Sequence, residues 1–140
     1  MSEIEIRIAQ LASEFAQLED EFLRYTYLVE LGGLLPPMAP EEKTSEHLFS
    51  GCQSRVWLVR EARNGRFFLR ADSDTVVMRG LLYLFVNIYN GTALADAANS
   101  SFDPLRKIGL TGSFSSPRQS GINGIVTGIR AFCQNTQAKK

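Results

Sequence analysis

Apolar and polar positions alternate along this chain with two periods, and the change from one period to the other marks out its elements. Ile4, Ile8, Leu11, Ala12 and Phe15 recur at helical spacing, which predicts an amphipathic helix over about residues 4–18. Ser2 followed by Glu5 has the order of a capping box at its start. A second helical pattern runs through Phe22, Tyr25, Val29 and Leu31 to Gly32-Gly33, a pair able to take the left-handed conformation that ends helices. Leu34 to Glu42 contains Pro36-Pro37 and Pro40, lacks regular backbone donors and reads as an irregular connector over a core edge. The period then falls to two. Val56-Trp57-Leu58-Val59 and Phe67-Phe68-Leu69 flank Asn64-Gly65, the pair preferred in a two-residue type I′ turn, so a β-hairpin is expected. One face of it carries Val56, Leu58, Phe67 and Leu69 toward the helices, and the other carries Trp57, Val59, Phe68 and Arg70. His47-Leu48-Phe49 supplies a short third strand, because a two-stranded ribbon is marginal by itself.

Helical spacing returns between Thr75 and Asn90, where apolar residues nearly surround the axis, as in a helix buried on most sides. Asp72 or Asp74 is placed to cap it and Gly91 to end it. Thr92 to Asn99 reads as a short helix. Asp103-Pro104 puts a cap and a first-turn proline ahead of another that ends near Gly109, and both short helices are read as surface connectors. Ser116, Pro117 and Gln119 announce a last helix whose stripe is Ile122, Ile125, Val126, Ile129 and Cys133. No repeat or low-complexity tract divides the chain. The expected fold is α+β, a small antiparallel sheet of about three strands packed by helices, in one domain spanning 1–140.

Composition narrows the function. The 140 residues are 44% hydrophobic, enough for a core without metal or disulfides. Fifteen basic residues balance fifteen acidic ones, so no global positive field favours nucleic acid or an anionic membrane. The N-terminus MSEIEIRIAQ does not read as a signal or transit peptide. The longest apolar stretch, Leu81 to Tyr89, is broken by Asn87 and is too short to span a membrane. A cytoplasmic protein is expected. Two cysteines and one histidine cannot close a zinc site within one chain.

Cys52 lies between Ser50-Gly51 and Gln53-Ser54, a polar, glycine-containing loop where reactive thiols occur, and Arg55 is near enough in sequence to favour the thiolate. An unreactive loop cysteine fits the same residues. Cys133 sits on an apolar stripe and reads as a small core residue. His47 as a base for Cys52 would make a stand-alone cysteine hydrolase or thiol transferase, but a period-two strand points the two to opposite faces and no oxyanion-hole pattern accompanies them. A non-catalytic adaptor using the same loop is a further alternative. Arg118 would occupy the first turn of the last helix, where the macrodipole disfavours a cation. It reads either as a partner-contacting or thiolate-stabilising residue or as a solvated surface charge.

Leu31-Gly32-Gly33-Leu34-Leu35-Pro36, Gly51-Cys52-Gln53-Ser54-Arg55-Val56-Trp57, Asp72-Ser73-Asp74, Arg79-Gly80-Leu81 and Arg118-Gln119-Ser120-Gly121 occur in this order. Over about residues 18–133 the chain resembles the SufE and CsdE sulfur acceptors. The resemblance implies a fold shared with the scaffold proteins of iron–sulfur assembly. It also implies that Cys52 accepts a persulfide sulfur, with Gly51, Gln53, Arg55 and Arg118 on the partner-binding surface. The implied partners are a cysteine desulfurase of the SufS or CsdA type, which this protein stimulates and which holds the pyridoxal phosphate, and a scaffold complex of the SufBCD type. No cofactor or metal is implied for this chain, and Cys133 has no counterpart in the motif. The order Pro117-Arg118-Gln119-Ser120-Gly121 departs from the Ser-Arg-Ser-Gln-Gly of many relatives.

Overall fold

A computed structural model describes residues 2–51, 54–110 and 114–138. The chain runs α1 (Glu3–Ala16), α2 (Glu21–Gly32), a 3₁₀ turn (Pro40–Glu42), β1 (Leu48–Phe49), β2 (Val56–Arg63), β3 (Arg66–Ser73), α3 (Val76–Tyr89), β4 (Thr92–Ala93), α4 (Leu94–Ala98), α5 (Pro104–Ile108) and α6 (Ser116–Ala138). The strands form one antiparallel sheet in the order β1-β2-β3-β4.

Asn64 at φ 53° and Gly65 at φ 76° make the turn that the Asn-Gly pair calls for, and Arg63 stands opposite Arg66 across it. The resulting register puts Val56, Leu58, Phe67, Leu69 and Ala71 in the main core and Trp57 and Val59 on the other face, where Met38 of the connector covers them. The expected two faces are therefore those observed. The sheet has four strands, not about three. Thr92 and Ala93, assigned from sequence to a helix, pair with Phe67 and Arg66, and two residues are too few to leave an alternating signal.

Core packing is centred on α3, in which Leu81, Leu82, Leu84, Phe85, Ile88 and Tyr89 are all fully buried. Its cap differs from expectation. Thr75 holds the N-cap position without a side-chain bond, and neither Asp72 nor Asp74 caps the helix. The Gly32-Gly33 pair also acts differently, since Gly33 ends α2 in a right-handed conformation at φ −68°. A Cβ on Gly32 would meet the Gly80 nitrogen at 2.8 Å, and one on Gly80 would collide with the Leu28 carbonyl oxygen. These glycines let the backbones of α2 and α3 approach closely. The buried face of α2 is accordingly Leu28, Leu31 and Gly32, while Phe22 and Tyr25 of the expected stripe are exposed.

The short helices are more than surface connectors, for Leu94, Ala97, Ala98, Leu105 and Ile108 join the main core. Pro104 opens α5 as expected, but Asp103 forms no side-chain cap there. The whole stripe Ile122, Ile125, Val126, Ile129 and Cys133 of α6 is buried. Its first turn receives the Ser115 hydroxyl, which accepts from the Arg118 N–H at 3.4 Å, in place of the expected Ser116 cap. Several helix ends are closed from elsewhere in the fold. The Asp96 carboxylate accepts from Ile4 N–H at the start of α1, and the Arg7 guanidinium donates to the Asn87 and Asn90 carbonyls at the end of α3.

Candidate functional site

The two sides of the cysteine loop are tied to different elements. On its N-terminal side, Phe49 leaves β1 and its ring tip lies between two glycines. A Cβ on Gly51 would fall 2.7 Å from the Phe49 Cζ atom, and one on Gly124 of α6 would fall 2.9 Å from the same atom. This wedge joins the start of the loop to the N-terminal half of α6, the helix whose first turn holds Arg118.

On its C-terminal side, Arg55 is fastened to the turn before α3 through both backbone and side chain. Its N–H and Nε donate to the two Asp74 carboxylate oxygens at 3.1 and 3.2 Å, and its carbonyl accepts from the Ser73 hydroxyl at 2.6 Å. The Thr75 hydroxyl donates to Ser54 Oγ at 3.2 Å. The Arg55 guanidinium lies 5.9 Å from the Trp57 ring centroid, and the Lys43 ammonium is 5.2 Å from the same ring, both within cation–π range. Asp74 is thus the partner of a loop arginine, a role that sequence reasoning missed by reading it as a cap. The signal was the Arg55-to-Asp74 separation across a hairpin whose register can be counted from its turn.

Cys52 and Gln53 themselves lie outside the described residues. Gly51 and Arg55 flank them as just given. Arg118 is half-buried and makes no ion pair among the described residues. His47 is turned to other work: its Nδ1 lies 2.7 Å from the Glu42 carbonyl oxygen, an acceptor, so that nitrogen carries the hydrogen.

The other cysteine is sealed. Cys133 has no exposed surface, and burial pushes its thiol up to about 11, against a smaller opposing effect of Arg60. At neutral pH it is protonated and inert. Opposite Trp57 in the sheet, Asp72 is the buried centre of a polar cluster. It accepts from the N–H groups of Met38 at 3.0 Å and Ser73 at 2.8 Å, and it pairs with Lys43 at 3.2 Å and with Arg79. Arg79 also donates to the Leu35 carbonyl, so this cluster fastens the proline-rich connector to the sheet and to α3.

A groove of about 1320 Å³ is elsewhere. It runs between α1, α4–α5 and the Gln119, Asn123, Thr127 face of α6 and includes neither Gly51, Arg55 nor Arg118. Among the described residues there is no group of three or more His, Cys, Asp or Glu side chains able to hold a metal, and no helix long and apolar enough to cross a membrane.

Comparison with known proteins agrees with this architecture. A solution structure of a hypothetical protein from Thermus thermophilus has a similar fold, with a TM-score of 0.76 over 94% of this chain and 96% of that one at 18% identity. An uncharacterized SufE-like protein of Rhizobium etli is 36% identical across 86% of this chain and 85% of its own length. A second SufE-like protein, from Rhizobium meliloti, is 32% identical across 87% and 91%. Residues 9–133 match the family model described as SufE, Fe-S metabolism associated domain. The chain belongs to the SufE family, a domain associated with iron–sulfur metabolism.

Proposed function

We propose that this protein is a sulfur acceptor: Cys52 takes a persulfide sulfur from a cysteine desulfurase of the SufS or CsdA type and passes it to a SufBCD-type scaffold in the cytoplasm. The observation that carries this reading is the burial of Cys133 in a chain of the SufE family. Of the two thiols, only Cys52 belongs to a polar, glycine-containing stretch of sequence. In the transfer, the Cys52 thiolate attacks the terminal sulfur of the desulfurase persulfide. One S–S bond forms as another breaks, the desulfurase leaves as its thiolate, and the new persulfide rests on Cys52 with no net oxidation. The carbon–sulfur cleavage that fills the desulfurase, and the pyridoxal phosphate it uses, belong to the partner. This chain acts as acceptor and activator and has no cofactor of its own.

Docking supplies the rate, since it turns a bimolecular exchange into a near-intramolecular one. Gly51, Gln53, Arg55 and Arg118 form the proposed contact surface. The Phe49 wedge supports this grouping because it joins the loop's first side to the helix that bears Arg118. The test is cysteine turnover by a SufS-type desulfurase with this protein added. The native chain should raise the rate, Cys52→Ser should abolish the rise, and Arg118→Ala should weaken it while leaving the melting profile unchanged. An equal rise from native protein and Cys52→Ser would contradict the reading.

A further inference from the structure

Beyond its first two residues, one edge of β3 is unpaired among the described residues. Arg66 and Phe67 pair with Ala93 and Thr92, and the pairing stops there. The two-residue turn makes Arg63 and Arg66 a hydrogen-bonded pair, so alternate residues 66, 68, 70 and 72 bond to β2, while 67, 69, 71 and 73 direct N–H and C=O to the other edge. Two bonds agree with this: Gly91 N–H donates to the Phe67 carbonyl at 2.7 Å, and Leu58, opposite Ala71, donates outward to His47 at 2.9 Å. Along this edge, Asn90 Oδ1 accepts from Leu69 N–H at 2.9 Å and Asp72 Oδ1 accepts from Ser73 N–H. Between these two stops, nothing among the described residues accepts from Ala71 N–H or donates to the Leu69 and Ala71 carbonyls.

Leu69 and Ala71 are buried, 2% and 3% exposed, so their unpaired backbone groups need a partner. A pocket of about 300 Å³ opens against them, with Pro36, Pro37, Met38, Phe68 and Val86 in its walls. Two arginines also line it. Arg70 is neutralised by Glu42 and Glu61. Arg63 makes no ion pair among the described residues and lies 4.1 Å from the Phe68 ring centroid.

We propose that this pocket docks an extended peptide segment that carries an acidic side chain. One ligand residue donates its N–H to the Leu69 carbonyl and accepts from Ala71 N–H, as a residue of a parallel neighbouring strand does. The carboxylate, carried toward the ligand's N-terminus, meets the Arg63 guanidinium over Phe68. Phe68 and Ala71 are about 10 Å apart along the strand, a span that three or four residues cover. A simple carboxylate lacks the donor that Leu69 requires, and a neutral peptide leaves Arg63 without a counter-charge. Gly51, Arg55 and Arg118 do not line the pocket, so the proposal stands independently of sulfur transfer.

The test is an NMR titration of the isotope-labelled full chain with acetyl-Glu-Val-Val-Val-amide, its glutamine counterpart and a copy N-methylated at the valines. The acidic peptide should shift the Ala71 amide resonance and slow its exchange with solvent. The N-methylated copy should do neither, and both the glutamine peptide and the Arg63→Glu protein should bind several-fold more weakly. An Ala71 resonance that does not move at millimolar peptide, or that responds equally to the N-methylated copy, would overturn the proposal and leave an ordered water as the occupant.

Discussion

Asp72 shows how one buried side chain can hold three segments together. Burial pushes its carboxyl up, but the Met38 and Ser73 N–H donors, the Lys43 ammonium and the Arg79 charge outweigh burial and hold it below the ordinary 3.8. A carboxyl depressed in the folded state contributes stability that is fully present above its unfolded pKa and is lost as pH falls through the folded value. Asp72→Ala should therefore cost about 1–3 kcal/mol at pH 7, because the Met38 and Ser73 N–H groups lose their acceptor while the partly exposed Lys43 and Arg79 can turn to water. Urea denaturation should also show the gap between native and Asp72→Ala proteins closing below about pH 4. A constant gap down to pH 2 would remove the carboxylate from the account. Cys133 gives the opposite kind of test. With its thiol at about 11 and no exposed surface, it should resist an aromatic disulfide reagent in native buffer and react only in denaturant. Rapid native labelling of Cys133 would contradict its burial.

Among the elements, the hairpin was the most legible, because Asn64-Gly65 fixes turn type and register together and register decides which residues face inward. The α3 and α6 helices were legible for a similar reason, since long apolar stripes leave little choice of face. The α2 helix was misread. Its surface Phe22 and Tyr25 resemble a core stripe, and its true contact uses Gly32 and Gly80, whose lack of side chains gives no hydrophobic signal. Gly80→Ala is expected to destabilise the protein by about 1–3 kcal/mol, the range for overpacking, because the new Cβ cannot escape the Leu28 carbonyl without moving a helix. Leu84→Ala should cost about 2–5 kcal/mol from the opposite defect, a cavity in the core. Chemical denaturation reads both, and a change below about 0.5 kcal/mol in either would place that position on the surface.

For the whole molecule, the fold class and family were readable from ordered motifs, whereas the organisation around the loop was not. That organisation depends on long-range contacts: Arg55 with Asp74, and Phe49 with Gly124. Each member has a plausible local reading as a surface charge, a cap, a strand residue or a turn, so only the tertiary arrangement distinguishes the roles. The result is an arrangement in which Gly51 and Arg55, which flank Cys52 in sequence, are each held by contacts from other elements while the second thiol is enclosed. The most direct measurement is the mass of this protein after incubation with a SufS-type desulfurase and cysteine, followed by peptide mapping. The expected result is a reductant-sensitive gain of about 32 Da, one sulfur atom, mapped to Cys52. Cys133→Ser should keep this gain and Cys52→Ser should lose it. A persulfide on Cys133, or one that persists in Cys52→Ser, would contradict the central claim.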